Sequence, residues 1–226
     1  MKRIKAFVFD LDGIIVDTTR YHYLSWKSLA HTFGYNFEER DNEALKGANR
    51  MTSLNIILAR AGLSYSDQEK EIMCERKNEI YLELITNISV ADTLPGIIPF
   101  IRLAKKEGLR IGLGSSSRNA KNTIRRLQLG HLFDVQLDAN DVPDSKPLPD
   151  IYLQVAHLLE IDPDACLIFE DAYNGIAAAK KAGMLVVGMG HQDQVAGADL
   201  IIDSFENNSP ALIFDKLSVA LKGNGA

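Results

Sequence analysis

Positive charge is in deficit in this chain: 25 lysines and arginines stand against 30 aspartates and glutamates, for a formal net charge of −5. That balance argues against a nucleic-acid partner, which selects for a basic surface. Cysteine is scarce. Cys74 and Cys166 are the two present, and no CxxC spacing occurs. Neither a disulfide framework nor a zinc site is indicated, and buried thiols in a reducing compartment are the expectation. No apolar run approaches the roughly 20 residues of a membrane span. The basic residues near the N-terminus are followed by only a short apolar run that meets Asp10 at once, unlike a signal peptide. Internal repeats and low-complexity linkers are absent. A cytoplasmic enzyme remains as the expectation.

What is present is ordinary globular material, 226 residues at 46% hydrophobic and 24% charged. That suits one large core with a smaller inserted unit. Short apolar runs at 4–9, 110–114, 166–169, 185–188 and 200–202 read as buried strands. Helical spacing at 97–107, 119–127, 150–159 and 174–182 alternates with them, and Ser209-Pro210 looks like the opening of a last helix. Strand–helix alternation predicts an α/β fold, a Rossmann-like parallel sheet with helices on both faces. Residues 17–90 break the rhythm, with helices predicted at 21–33, 41–45, 52–61 and 66–86 and no strand between them. The predicted organisation is a core domain of 1–16 and 91–226 with a helical cap domain of 17–90, hinged near 14–17 and 87–93.

Ligands of open α/β sheets bind beyond the C-terminal ends of the strands, so the residues there carry the functional reading. The first strand ends in Asp10-Leu11-Asp12-Gly13. Two carboxylates two apart invite a division of labour: Asp10 as nucleophile towards phosphorus, Asp12 as general acid and base. Glu170-Asp171 adds acid after a later strand. Hard oxygen ligands open to phosphate and water suit Mg²⁺, held by the Asp10 and Asp171 carboxylates and the Asp12 backbone carbonyl, with Glu170 bound directly or through water. Ser115, at the end of the second strand, is placed to hold the transferring phosphoryl group at a helix start. Lys146, just before Pro147, is the cation expected beside Asp10.

This four-part constellation resembles the haloacid dehalogenase superfamily of phosphotransferases. Asp12 separates the chain from the superfamily's dehalogenases, which lack the second aspartate. The helical region resembles that of the superfamily's sugar-phosphate mutases at Gly13 to Thr18, Tyr21-His22, Trp26-Lys27, Leu45-Lys46-Gly47 with Arg50, and Arg76-Lys77-Asn78. The resemblance implies reversible interconversion of β-glucose 1-phosphate and glucose 6-phosphate through a 1,6-bisphosphate.

A mutase must hold two phosphates, and Arg50 with Ser117, Arg118 and Asn119 is the expected second site; arginine's planar fork pairs bidentately with phosphate. Lys46, Gly47 and Asn49 complete the cap's contribution. Lys77 is expected either on the sugar or on a solvent face. Trp26 either meets the sugar or packs the cap, and the resemblance implies that His22 helps couple cap closure to Asp12, with plain packing as the alternative. Asn49 departs from the serine common at that place, which bears on fine specificity. The expected partner is a small sugar phosphate, with no nucleic acid and no membrane, and the protein is expected as a monomer. The nearest alternative is a Mg²⁺-dependent sugar-phosphate phosphatase using the same Asp10 and Asp12. A binding protein on a decayed enzyme scaffold is a more distant one.

Overall fold

The computed structural model describes residues 3–45 and 47–223. Six parallel strands form one sheet in the order β3-β2-β1-β4-β5-β6: Ala6–Phe9 (β1), Arg110–Gly114 (β2), Val135–Leu137 (β3), Cys166–Glu170 (β4), Leu185–Met189 (β5) and Leu200–Ile202 (β6). β1 is central, and its four residues are all buried. Alternation sends Phe7 and Phe9 to one face and Ala6 and Val8 to the other, so both faces need apolar side chains. On the first face Phe9 stacks on Phe169 with ring centroids 4.7 Å apart, and Phe100 and Phe205 close the cluster. On the second, Ile151, Val155 and Leu159 of α7 (Asp150–Leu159) cover Val8 and Ile168.

The expected strands and helices of the sheet domain appear within a residue or two. The exception is β3, whose three residues carry only two apolar side chains, too few for a periodicity to register. An aspartate pins it instead. The Asp134 carboxylate accepts the Ile111 N–H of β2 at 2.7 Å, and the Asp134 N–H returns a 2.7 Å bond to the Ile111 carbonyl. At the opposite edge Asp199 does the same to Val186, with both bonds at 2.8 Å, ahead of β6.

Between β1 and α5 (Ile97–Lys106) the chain is helical: α1 (Thr19–Thr32), α2 (Glu39–Glu43), α3 (Arg50–Ala61), α4 (Asp67–Leu84) and two short 3₁₀ turns. Trp26, Leu29, Phe37, Leu54, Ile57 and Leu58 make a hydrophobic cluster of its own there. α2 starts two residues earlier than expected, because Asp41 is not its first residue but the third position of a capping box opened by Glu38. α3 starts at Arg50 because Asn49 caps it. A Ser66–Glu69 capping box opens α4. The segments entering and leaving this helical part lie side by side: Val16 pairs with Thr93 in an antiparallel bridge, and Leu94 N–H donates to the Ile15 carbonyl at 2.9 Å. The closing helices are α6 (Ala120–Arg126), α8 (Tyr173–Lys181) and α9 (Pro210–Gly223), the last begun by Ser209, which accepts from Leu212 N–H. Among the described residues no helix is long and apolar enough to cross a membrane.

Candidate active site

Asp10 leaves β1 still paired, its N–H on the Phe169 carbonyl at 3.0 Å, so its position is fixed by the sheet itself. Leu11, Ile14, Ile15 and Val16 are fully buried and anchor the turn that follows. That turn brings Gly13 against Asp171. A Cβ at position 13 would stand 2.1 Å from Asp171 Oδ2, and the residue's φ of +79° also excludes most side chains. A second close approach shapes the opposite wall: a Cβ at Gly175, inside α8, would lie 1.7 Å from Glu170 Oε1. Two glycines thus make room for two carboxylates.

Lys146, 5% exposed, donates to Asp10 Oδ1 at 2.7 Å and to Glu170 Oε1 at 2.6 Å, with its ammonium over the Tyr152 ring. Tyr152 donates its hydroxyl to the same Glu170 oxygen, and the backbone N–H groups of Asp171 and Ala172 donate to the other. Four donors therefore occupy the four lone-pair positions of Glu170. Asp10, Glu170 and Asp171 each offer an oxygen within 4.8 Å of the others, an all-oxygen set that fits a hard divalent cation.

Burial pushes the Asp10 carboxyl up to about 7, and the charges of Glu170 and Asp12 add to this. Lys146 opposes, but its charge is shared with Glu170. Lys146 itself is raised: burial works against its charge, and the carboxylates of Asp10 and Glu170 more than offset that. Asp12 goes the other way. Burial would raise it, yet the His22 imidazole, the Thr18 hydroxyl and the charge of Lys77 bring it below the usual carboxylate range. Thr18 donates to Asp12 Oδ1, and His22 Nε2 lies 3.8 Å from the same oxygen.

Lys77, 3% exposed, is not on a solvent face. Its ammonium lies 2.9 Å from His22 Nδ1 and over the rings of Trp26 and Tyr81. An ammonium only donates, so His22 accepts at Nδ1 and carries its proton on Nε2, towards Asp12. Trp26, 3% exposed, packs the helical cluster and touches the cavity as well. Burial, then repulsion by Arg50, lowers Lys77 from 10.5 to about 7, with Asp12 opposing. The folded protein therefore binds fewer protons than the unfolded chain between about 7 and 10.5, and its stability rises with pH across that window, the penalty being complete below it. Lys77→Met is expected to raise the melting temperature, more at pH 6 than at pH 9, while lowering turnover. Thermal melts at the two pH values check this; equal destabilisation at both would contradict it.

The same cavity is also lined by Arg50, Ser117, Arg118 and Asn119. Ser115 Oγ accepts from Ser117 N–H, and Ser117 Oγ from Asn119 N–H, which builds the turn into α6. Arg50 donates to Asn78 Oδ1 at 2.9 Å. Burial lowers Arg50, and the charge of Arg118 lowers it further, so the two guanidinium groups share one region. Asn49 does two jobs: its oxygen caps α3 by accepting from Thr52 N–H, and its amide donates to Ser145 Oγ at 3.0 Å, next to Lys146. A serine hydroxyl has only the reach of the cap. Gly47 lines the cavity, and Lys46 lies outside the described residues. The cavity measures about 480 Å³ and is lined by Asp10 and Asp12 as well as by Arg50 and Arg118, within the size range of small-molecule sites.

Four contributors were not singled out from sequence: Thr18, Asn78, Ser145 and Tyr152. Thr18 and Asn78 stand inside segments that carry the resemblance; Thr18 meets Asp12 six residues away, whereas Asn78 meets Arg50 across 28. Tyr152 is a helix residue whose apolar ring masks its hydroxyl's task.

Residues 4–183 match the profile of the haloacid dehalogenase-like hydrolase family. A β-phosphoglucomutase of Bacillus subtilis is 42% identical over 201 residues, 88% of this chain and 89% of its own length. A phosphorylated carbohydrates phosphatase of Thermotoga maritima is 28% identical over 184 residues, 80% of this chain and 82% of its own. The crystal structure of a β-phosphoglucomutase from Clostridium difficile superposes with a TM-score of 0.91 at 39% identity, covering 97% of this chain and 99% of that one.

Proposed function

The chain belongs to the haloacid dehalogenase-like hydrolase family, and from that premise we propose that it interconverts β-glucose 1-phosphate and glucose 6-phosphate through β-glucose 1,6-bisphosphate. The observation that carries the mutase reading is a pair of arginines lining the same cavity as Asp10 and Asp12. Arg50 and Arg118 face one region there, and the hydrogen bond of Arg50 goes to a neutral amide, so its charge is kept for an anion. A phosphatase needs one phosphate site; a mutase needs a second for the phosphate that is not reacting, because its bisphosphate must turn round and rebind.

In this reading Asp10 attacks phosphorus and becomes an aspartyl phosphate. Asp12 protonates the departing sugar oxygen and later takes the proton of the attacking hydroxyl. Lys146 and Ser115 hold phosphoryl oxygens, and Lys146 also keeps Asp10 aimed. Asp10, Asp171 and the Asp12 carbonyl would hold Mg²⁺, with Glu170 beside them, and the ion would offset the negative charge shared by Asp10 and the phosphoryl group. Trp26, Lys77 and His22 close the space around Asp12, Gly47 and Asn49 line the same cavity, and Lys46 is read as a further substrate contact. Residues 17–90 act as a lid whose closure excludes water, the competing acceptor. All these groups come from one chain, which supports a monomer, and two buried free thiols support a reducing, cytoplasmic setting.

The test is a product assay with β-glucose 1-phosphate, Mg²⁺ and a trace of the 1,6-bisphosphate. Glucose 6-phosphate is the expected product. Free phosphate as the main product would replace this reading with the phosphatase.

A further inference from the structure

Lys77 and Asn78 are consecutive on α4, about 100° apart around its axis, and they meet different partners. Lys77 turns to His22. Asn78 turns to two cavity-lining residues, and its side-chain oxygen accepts two hydrogen bonds: from Arg50 Nη2 at 2.9 Å and from Asn119 Nδ2 at 2.7 Å. Arg50 is the first residue of α3, and Asn119 is the N-cap position of α6 in the sheet domain. One amide oxygen therefore gathers a donor from the helical segment and a donor from the sheet domain. Both of its lone pairs are used, while neither donor is exhausted: a guanidinium has five N–H groups and a carboxamide two.

We infer that Asn78 is a positioning residue of the second phosphate site, presenting Arg50 and Asn119 together to one phosphate group. The inference deepens the proposed function and rests on its requirement for two phosphates. The residue type fits the task. An aspartate of the same shape would pair with Arg50, spend its charge and repel the incoming phosphate. An alanine would release both donors, and the long arginine side chain would then have to be ordered by the ligand at an entropic cost. Asparagine orients Arg50 without neutralising it. Because Asn78 and Asn119 lie on different parts of the fold, the same bond also ties second-site assembly to the approach of the helical segment.

The test is titration calorimetry with β-glucose 1,6-bisphosphate and Mg²⁺ in an Asp10→Asn background, which prevents turnover, alongside thermal melts. Asn78→Ala is expected to weaken bisphosphate binding roughly tenfold, and Asn78→Asp roughly a hundredfold. Inorganic phosphate, which needs only one site, should lose less in each variant. Asn78→Ala should also cost far less once Arg50→Ala is present, since the side chain acts through Arg50. A residue that merely packs would give the reverse order, with the isosteric Asn78→Asp milder than Asn78→Ala and melting temperatures following suit. That order, or unchanged bisphosphate affinity in both variants, would overturn the inference. The wild-type product assay keeps the two ideas apart. Free phosphate there removes the mutase reading, whereas the binding series decides the role of Asn78 in either case.

Discussion

Asp10→Asn is expected to lower turnover by at least about 10⁴-fold and to leave the protein folded. The amide is isosteric, so the N–H bond to Phe169 and the burial of the turn remain. An amide oxygen still accepts from Lys146, although the ion pair at 2.7 Å is lost. The same change removes a carboxylate that burial pushes up to about 7 beside Glu170, and with it some like-charge repulsion. The two effects oppose each other, and a melting temperature within a few degrees of wild type is expected. What the variant cannot do is form an acyl phosphate. Rapid-quench experiments with labelled bisphosphate should therefore find no phosphate carried on the protein. Near-normal turnover, or a labelled protein, would remove the covalent step and the mechanism with it.

Asp12→Asn is expected to slow transfer in both directions by about 10²–10⁴-fold. Its backbone carbonyl stays in place, so affinity for Mg²⁺ should change little. The hydrogen bond from Thr18 can persist on the amide oxygen, which makes lost proton transfer, rather than a collapsed turn, the cause. Pre-steady-state kinetics distinguish this variant from the first: labelled phosphoenzyme should still form, slowly. Phosphorylation from a phosphoryl donor with a good leaving group needs no protonation and should suffer least. Equal losses with good and poor leaving groups would argue against Asp12 as the acid.

The residues on which these two results turn were legible in the sequence because a parallel sheet puts chemistry at its strand ends. Asp10, Ser115 and Glu170-Asp171 each finish or follow a run of buried apolar residues, a local signal. Lys146 was found by its place in the order and not by any periodicity. The illegible parts depend on distance in sequence. Asn78 meets Asn119 and Arg50 across separations of 41 and 28 residues, and nothing in its neighbours encodes that. The saturation of Glu170 required Tyr152, 18 residues away, to turn its hydroxyl inward. Lys77 was read as either a sugar contact or a solvent-facing charge, because its surroundings in sequence are polar; only the fold puts Trp26 and Tyr81 against it. β3 was missed because an edge strand this short is specified by Asp134, a side-chain to backbone bond, more than by hydrophobic alternation.

The hollow left by Gly175 has a practical side for anyone hardening this enzyme against heat. Replacing a helical glycine with alanine is a routine stabilising change, worth up to about 1 kcal/mol from helix propensity in a helix interior, and Gly175 is the third residue of α8. At this position the added methyl group would occupy the space of the Glu170 carboxylate, displacing the group that Lys146 and Tyr152 lean on. The gain in α8 would be exchanged for a lysine no longer steadied on its second side. In a library of thermostable variants, position 175 is one to leave untouched.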